Sequence, residues 1–156
     1  ELLYYNENVA SQIVIDKVSI KGFSFAGTDG NIRTFRKQYY DGYMKGERFF
    51  EVLTDGNIDL LVYRKMSLSS TTAYKDESNI LKNMAYISTY QYYFYSPEKG
   101  YSLVRLNRNA FLTKFSETDQ KQVKKVLRKN RIRIADEESL ILAWKIVERE
   151  GLAINF

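Results

Sequence analysis

The chain contains no cysteine and no histidine. The first absence excludes disulfides, thiolate nucleophiles and cysteine-ligated zinc. The second removes the commonest general base and the commonest transition-metal ligand. Proline occurs once, at Pro97, so little interrupts extended pairing. No apolar run is long enough to cross a bilayer as a helix. There is no Gly-x-Gly-x-x-Gly and no P-loop, so phosphate-cradling enzymes lose their main signal. No cofactor is called for.

The 156 residues suit a single domain, 1–156, with a real core. Thirteen tyrosines and nine phenylalanines favour strands and half-buried sheet surfaces. The net charge of +5 permits contact with nucleic acid, anionic lipid or acidic sugar and requires none of them.

Alternation dominates up to Leu106. Leu2-Leu3-Tyr4-Tyr5-Asn6 is already strand-like, and a preceding strand is expected before Glu1. Residues 12–25 alternate with a change of parity at Asp16-Lys17, which predicts a bulge or a break. Gly27-Thr28-Asp29-Gly30-Asn31 predicts a turn, and residues 32–40 alternate again. Asp41-Gly42 is the next turn. Thr54-Asp55-Gly56-Asn57, between runs 48–53 and 58–64, is the strongest hairpin signal in the chain. In its second run Ile58, Leu60 and Val62 point one way, Asp59, Leu61 and Tyr63 the other. Residues 65–83 predict an exposed loop, marked by Ser67, Ser69, Ser70, Thr71 and Thr72. Residues 86–95 and 101–106 predict a hairpin about the turn at Pro97.

After Asn107 the period changes to that of a helix. Phe111, Leu112 and Phe115 form a short apolar stripe. Ser116-Glu117-Thr118-Asp119 resembles a capping box with Asp in place of Glu. Val123, Val126 and Leu127 share a face of the helix that follows. Asp136-Glu137-Glu138 opens a last helix with Leu140, Ile141, Trp144 and Val147 inward and Gly151 as its stop. The fold class is therefore α+β: a twisted or barrel-like antiparallel sheet of roughly six to eight strands, then two or three C-terminal helices. Residues 1–106 are mainly antiparallel β and residues 107–156 mainly helical.

Two features suit binding. Tyr90, Tyr92, Tyr93 and Tyr95 place rings on both faces of one strand: one face core, the other a platform for a sugar or a protein, or a cover whose hydroxyls stay wet. Between Lys121 and Arg133 stand seven Lys or Arg and no acid. Lys121, Lys124, Lys125, Arg128 and Arg131 suit an anion site for nucleic acid phosphates or lipid headgroups; the plainer reading is the solvated face of an amphipathic helix. No aromatic residue interleaves with these cations, which disfavours nucleic acid. A histidine-free glycosidase would need paired carboxylates. Most acids, however, sit in predicted turns (Asp29, Asp41, Asp55) or at helix starts (Asp119, Asp136, Glu137, Glu138). Glu51 and Asp59 flank the hairpin, where a cross-strand charge role suits them. Ser96-Pro97-Glu98-Lys99 has Ser-x-x-Lys spacing but lies in a turn.

The order Tyr5-Asn6, Gln12-Ile13-Val14-Ile15-Asp16, Ile20-Lys21-Gly22-Phe23-Ser24-Phe25, Phe49-Phe50-Glu51-Val52-Leu53-Thr54-Asp55-Gly56, Leu60-Leu61-Val62-Tyr63-Arg64-Lys65, Tyr92-Tyr93-Phe94-Tyr95 and Phe111-Leu112-Thr113-Lys114-Phe115 resembles a Bacteroidetes family of exported proteins of unknown function. The resemblance covers most of the chain and carries no catalytic residue. It implies a periplasmic or cell-envelope location. With no catalytic residue in view, the leading expectation from the residues is a non-catalytic envelope module that binds a protein, a glycan or another surface through the exposed face of the aromatic strand or the edge of the sheet. The resemblance also implies variable length around residues 67–72.

Overall fold

The computed structural model describes residues 2–6, 11–70 and 84–156. By compactness the chain divides into two units, Glu1–Glu51 and Val52–Phe156. The element order is that of an α+β protein, with eight strands followed by three helices among the described residues.

In the first unit β1 (Leu2–Asn6) and β2 (Ser11–Ile15) form an antiparallel pair. The expected break follows. Asp16 accepts from the Val18 N–H at 2.9 Å and from the Ser19 hydroxyl at 2.6 Å, which closes a turn and ends the strand. The Ser19 hydroxyl, then the Val18 N–H, hold the Asp16 carboxyl below its usual range. β3 (Gly22–Ala26) and β4 (Ile32–Tyr40) pair about the expected turn at Gly27–Asn31, where Asp29 accepts from the Asn31 N–H. Their register puts Phe23 opposite Phe35, and these rings stack at 4.7 Å. Phe25 and Phe49 extend the row, with rings 5.7 Å from Phe35 and 5.4 Å from Phe23 respectively.

β5 (Gly46–Thr54) pairs with β4 and runs across the unit boundary; the order in the larger sheet is β3-β4-β5-β6-β7-β8. In the second unit β6 (Asp59–Ser70) pairs with β7 (Met84–Ser96) over twelve residues, and β7 pairs with β8 (Gly100–Val104) over five. The hairpin at Asp55-Gly56 forms as the sequence reads. The loop expected over residues 65–83 does not begin where the Ser/Thr content suggests. Lys65 to Ser70 belong to β6, paired with Thr89 to Met84 of β7. Ladder bonds along a long partner outweigh the local turn preference of serine. Thr71 and Thr72 lie outside the described residues.

Parity along β6 and β7 builds the core. Leu60, Val62, Tyr92 and Phe94 face three helices, α1 (Arg108–Leu112), α2 (Glu117–Lys129) and α3 (Glu137–Arg149). Trp144 of α3, 1% exposed, lies 4.9 Å from the Phe94 ring, and Phe111 lies 6.1 Å from it. Leu61 on the opposite face of β6 is equally buried, as is its register partner Tyr93. So β6 is buried on both sides near its turn.

The helices start and stop for the expected reasons, with two differences in detail. Ser116 accepts from the Asp119 N–H at 3.1 Å, but its hydroxyl donates to the Asp119 carboxylate at 2.7 Å; the shorter Asp side chain closes on the cap's side chain instead of its backbone. Asp136 forms a complete capping box with Ser139, which also holds the Asp136 carboxyl below its usual range. α3 ends as expected, with Gly151 at φ +72°. The corresponding position after α2 is Arg131, at φ +56°, a conformation that costs a side chain what it does not cost glycine.

Two outcomes follow. Trp144→Ala removes the largest fully buried side chain and is expected to cost about 3–5 kcal/mol in urea denaturation. Trp144→Phe is expected to cost distinctly less, because the retained ring leaves a much smaller cavity while the indole N–H it removes has no partner among the described residues to lose. Arg131→Gly is expected to stabilise by about 1 kcal/mol on the same measurement.

Candidate functional site

The four tyrosines singled out in the sequence do not share a surface. Alternation places Tyr90 and Tyr92 on the helix-facing side of β7 and Tyr93 and Tyr95 on the other. Tyr92 and Tyr93 are buried; Tyr90 is 50% exposed and Tyr95 half-buried. On the second face Tyr93 meets Tyr101 edge-on at 5.8 Å and donates its hydroxyl to Gln91 at 3.0 Å, while Tyr95 and Tyr101 lie 4.7 Å apart. This is a packed aromatic cluster with little ring face left open.

The other side offers more. β8 is short and stops at Val104, opposite Tyr92, whereas β7 continues back to Met84. Beyond Val104 the chain turns away, with the Asn107 N–H bonded to the Arg105 carbonyl. Among the described residues no strand pairs with residues 84–91 on that side of β7. A groove of about 430 Å³ lies there, lined by Thr89, Tyr90, Gln91 and Tyr92 and by Leu103 to Leu106.

Its tyrosines are held by a polar network. Arg64 of β6 pairs with Glu137 of α3 at 2.7 Å, and its guanidinium sits 5.1 Å over the Tyr90 ring. The Glu137 carboxylate also acts on Tyr92, whose phenol is pushed up to about 12, first by burial and then by that carboxylate's charge. Sequence reading could find the tyrosines but not this network, because Arg64 and Glu137 stand 73 residues apart.

The basic helix keeps its charge on the solvent side, as its buried Val123, Val126 and Leu127 require. Lys121, Lys124, Lys125 and Arg128 are all exposed there. Arg131 is separated from them, since α2 ends at Lys129. A second concavity, of about 800 Å³, lies along one flank of this helix. Lys121, Lys125 and Lys129 line it with Thr118, Gln122, Asn130 and, from the end of α3, Glu150. Lys129 therefore joins the candidate set, and Lys124, Arg128 and Arg131 lie outside the concavity.

Two further pairings are visible only in three dimensions. Ser102 of β8, buried, accepts from Lys114 at 3.1 Å, and burial lowers the Lys114 ammonium below its ordinary value. The nearest thing to a nucleophile–base pair thus joins residues on a strand and a helix end, not the Ser96–Lys99 spacing, where Lys99 N–H simply closes a turn onto Ser96. Neither concavity described above contains Ser102 or Lys114.

At the β5–β6 turn Asp59, buried, accepts from the Gly56 N–H at 3.2 Å. Glu148 of α3 approaches so closely that a Cβ at Gly56 would lie 2.7 Å from its Oε1. Burial, then the Asp59 charge, raises the Glu148 carboxyl above its ordinary value. Neither concavity is lined by two carboxylates. Among the described residues no group of three or more acidic side chains could hold a metal, and no helix is long and apolar enough to cross a membrane.

No family model, curated protein or solved structure matches the chain.

Glu148 gives a signed prediction. Its pKa is higher folded than unfolded, so its favourable contribution is fully present below the unfolded value near 4.5 and is lost as pH rises through the folded value. Glu148→Gln is therefore expected to raise the melting temperature at neutral pH. The gain should shrink as the pH falls below that range, in melting curves recorded across pH 3 to 8 (about the range in which a shifted Glu titrates).

Proposed function

We propose that this protein is a non-catalytic interaction module of the cell envelope that takes an extended segment of a partner protein along the open edge of β7. The observation that carries this reading is the mismatch in strand length. β8 covers only Tyr92 to Ser96, so the backbone from Ala85 to Gln91 keeps an unpaired edge among the described residues. Exposed edges are templates for a further strand, and proteins that leave one usually use it or guard it with charge. Here the neighbouring side chains are Tyr86, Ile87 and Tyr90, exposed by 71%, 44% and 50%, rather than lysines. Added main-chain bonds would supply affinity, and the groove at Tyr90 and Leu103 would seat every second side chain of the incoming segment.

The Arg64–Glu137–Tyr92 network supports the same reading, because a platform fixed by packing loses little entropy on binding. The envelope location rests on the sequence resemblance alone. Glycan stacking is less well supported: of the four tyrosines only Tyr90 is as much as half exposed, and the Arg64 guanidinium covers one face of its ring.

The test is selection of peptides from a displayed random library, followed by amide exchange of the protein with the best binder. Protection is expected at residues 85–91, and Tyr90→Ala is expected to weaken binding about tenfold with no loss of melting temperature. Protection confined to other strands, or a Tyr90→Ala variant that binds as well as the parent, would remove the proposal.

A further inference from the structure

The concavity on α2 is independent of the β7 edge, and its chemistry is specific enough to name a ligand class. Lys121, Lys125 and Lys129 fall at i, i+4 and i+8, so their stems follow one flank of the helix about 6 Å apart. None of the three has an ion-pair or hydrogen-bond partner among the described residues. Like charges at this spacing repel, and the helix C-terminus offsets that only within its last turn, at Lys129. The fold thus holds three ammonium groups, without ion-pair partners among the described residues, along an open concavity of about 800 Å³.

The rest of the lining selects among anions. A single nucleic acid strand would need rings to stack on, and no aromatic residue lines the site. Glu150 places a carboxylate in the same hollow, which repels a ligand that carries only phosphates but can accept from a main-chain N–H. Gln122 offers both a donor and an acceptor. Asn130, whose amide already donates to Val126 at 2.9 Å, keeps its side-chain oxygen for a donor. A ligand with negative side chains and its own N–H donors meets all of these. In an extended peptide alternate side chains on one face repeat at about 6.6 Å, close to the lysine spacing.

We infer that this hollow binds an extended acidic segment of a partner protein, with carboxylates at alternate positions paired to Lys121, Lys125 and Lys129 and main-chain N–H groups turned to Glu150 and Asn130.

The experiment uses the full chain and a fluorescent Asp-Ser repeat peptide, followed by anisotropy, with inorganic polyphosphate and an oligothymidylate as competing probes. Expected is saturable binding that weakens about tenfold or more as salt rises from about 50 to about 200 mM. The double variant Lys121→Glu/Lys125→Glu should lose at least about tenfold in affinity with an unchanged melting curve, whereas Lys145→Glu, an exposed charge reversal on α3, should bind like the parent. Three results would overturn the inference: no saturable binding of the peptide, an equal loss in Lys145→Glu, or tighter binding of polyphosphate or the oligonucleotide than of the peptide. Because Lys121 and Lys125 lie on α2 and Lys145 on α3, none of these variants alters the β7 edge, so this result stands or falls apart from the strand-docking reading.

Discussion

The β6–β7 ladder is the element on which the rest depends. Twelve consecutive pairs fix its register, and a slip of one residue would turn Leu60, Val62, Tyr92 and Phe94 away from the helices. That register also brings Arg64 beside Tyr90, and Arg64 reaches Glu137 at the start of α3. The core and the candidate site are therefore consequences of one pairing. The side of the ladder that packs on Trp144 makes the fold cohere, and its outer end supplies the exposed tyrosine and the open backbone.

The polar groups divide between structure and surface in a consistent way. Asp16, Asp29 and Asp136 are spent on turns and a cap, and hydrogen bonds from their neighbours hold each carboxyl below its usual range. Glu137 and Arg64 neutralise each other where the strand meets the helix. By contrast, the lysines of α2 face solvent without partners among the described residues, and the acids of that helix, Glu117 and Asp119, are confined to its first turn. Charge left over after the fold has satisfied itself is the material from which a binding surface is made.

Strand and helix periods, the hairpin at Asp55-Gly56, the turn at Ser96 to Gly100 and the caps at Ser116 and Asp136 were legible because each depends on residues close in sequence. The exposed loop predicted from Lys65 onward was wrong as far as Ser70 for the same reason in reverse. Serine prefers turns locally, and only the partner strand, starting at Met84, reveals that those residues are paired. Of the candidate binding residues, alternation separates Tyr90 and Tyr92 from Tyr93 and Tyr95, and helical spacing gathers Lys121, Lys125 and Lys129 on one flank, although the candidate set read from the sequence left Lys129 out. What alternation could not say is which tyrosine face packs on helices.

The sequence by itself determined the order of elements, the absence of thiol and imidazole chemistry, and the amphipathic face of α2, since composition and short-range periodicity are properties of the chain alone. The tertiary structure decided that β7 outruns β8, that Arg64 meets Glu137 across 73 residues, and that Ser102 lies beside Lys114 and Asp59 near Glu148. Those are contacts between distant segments. They exist only once burial of Leu60, Phe94, Trp144 and their neighbours has fixed the register, because the energy that brings the segments together is apolar and says nothing locally about which polar groups will be carried with it.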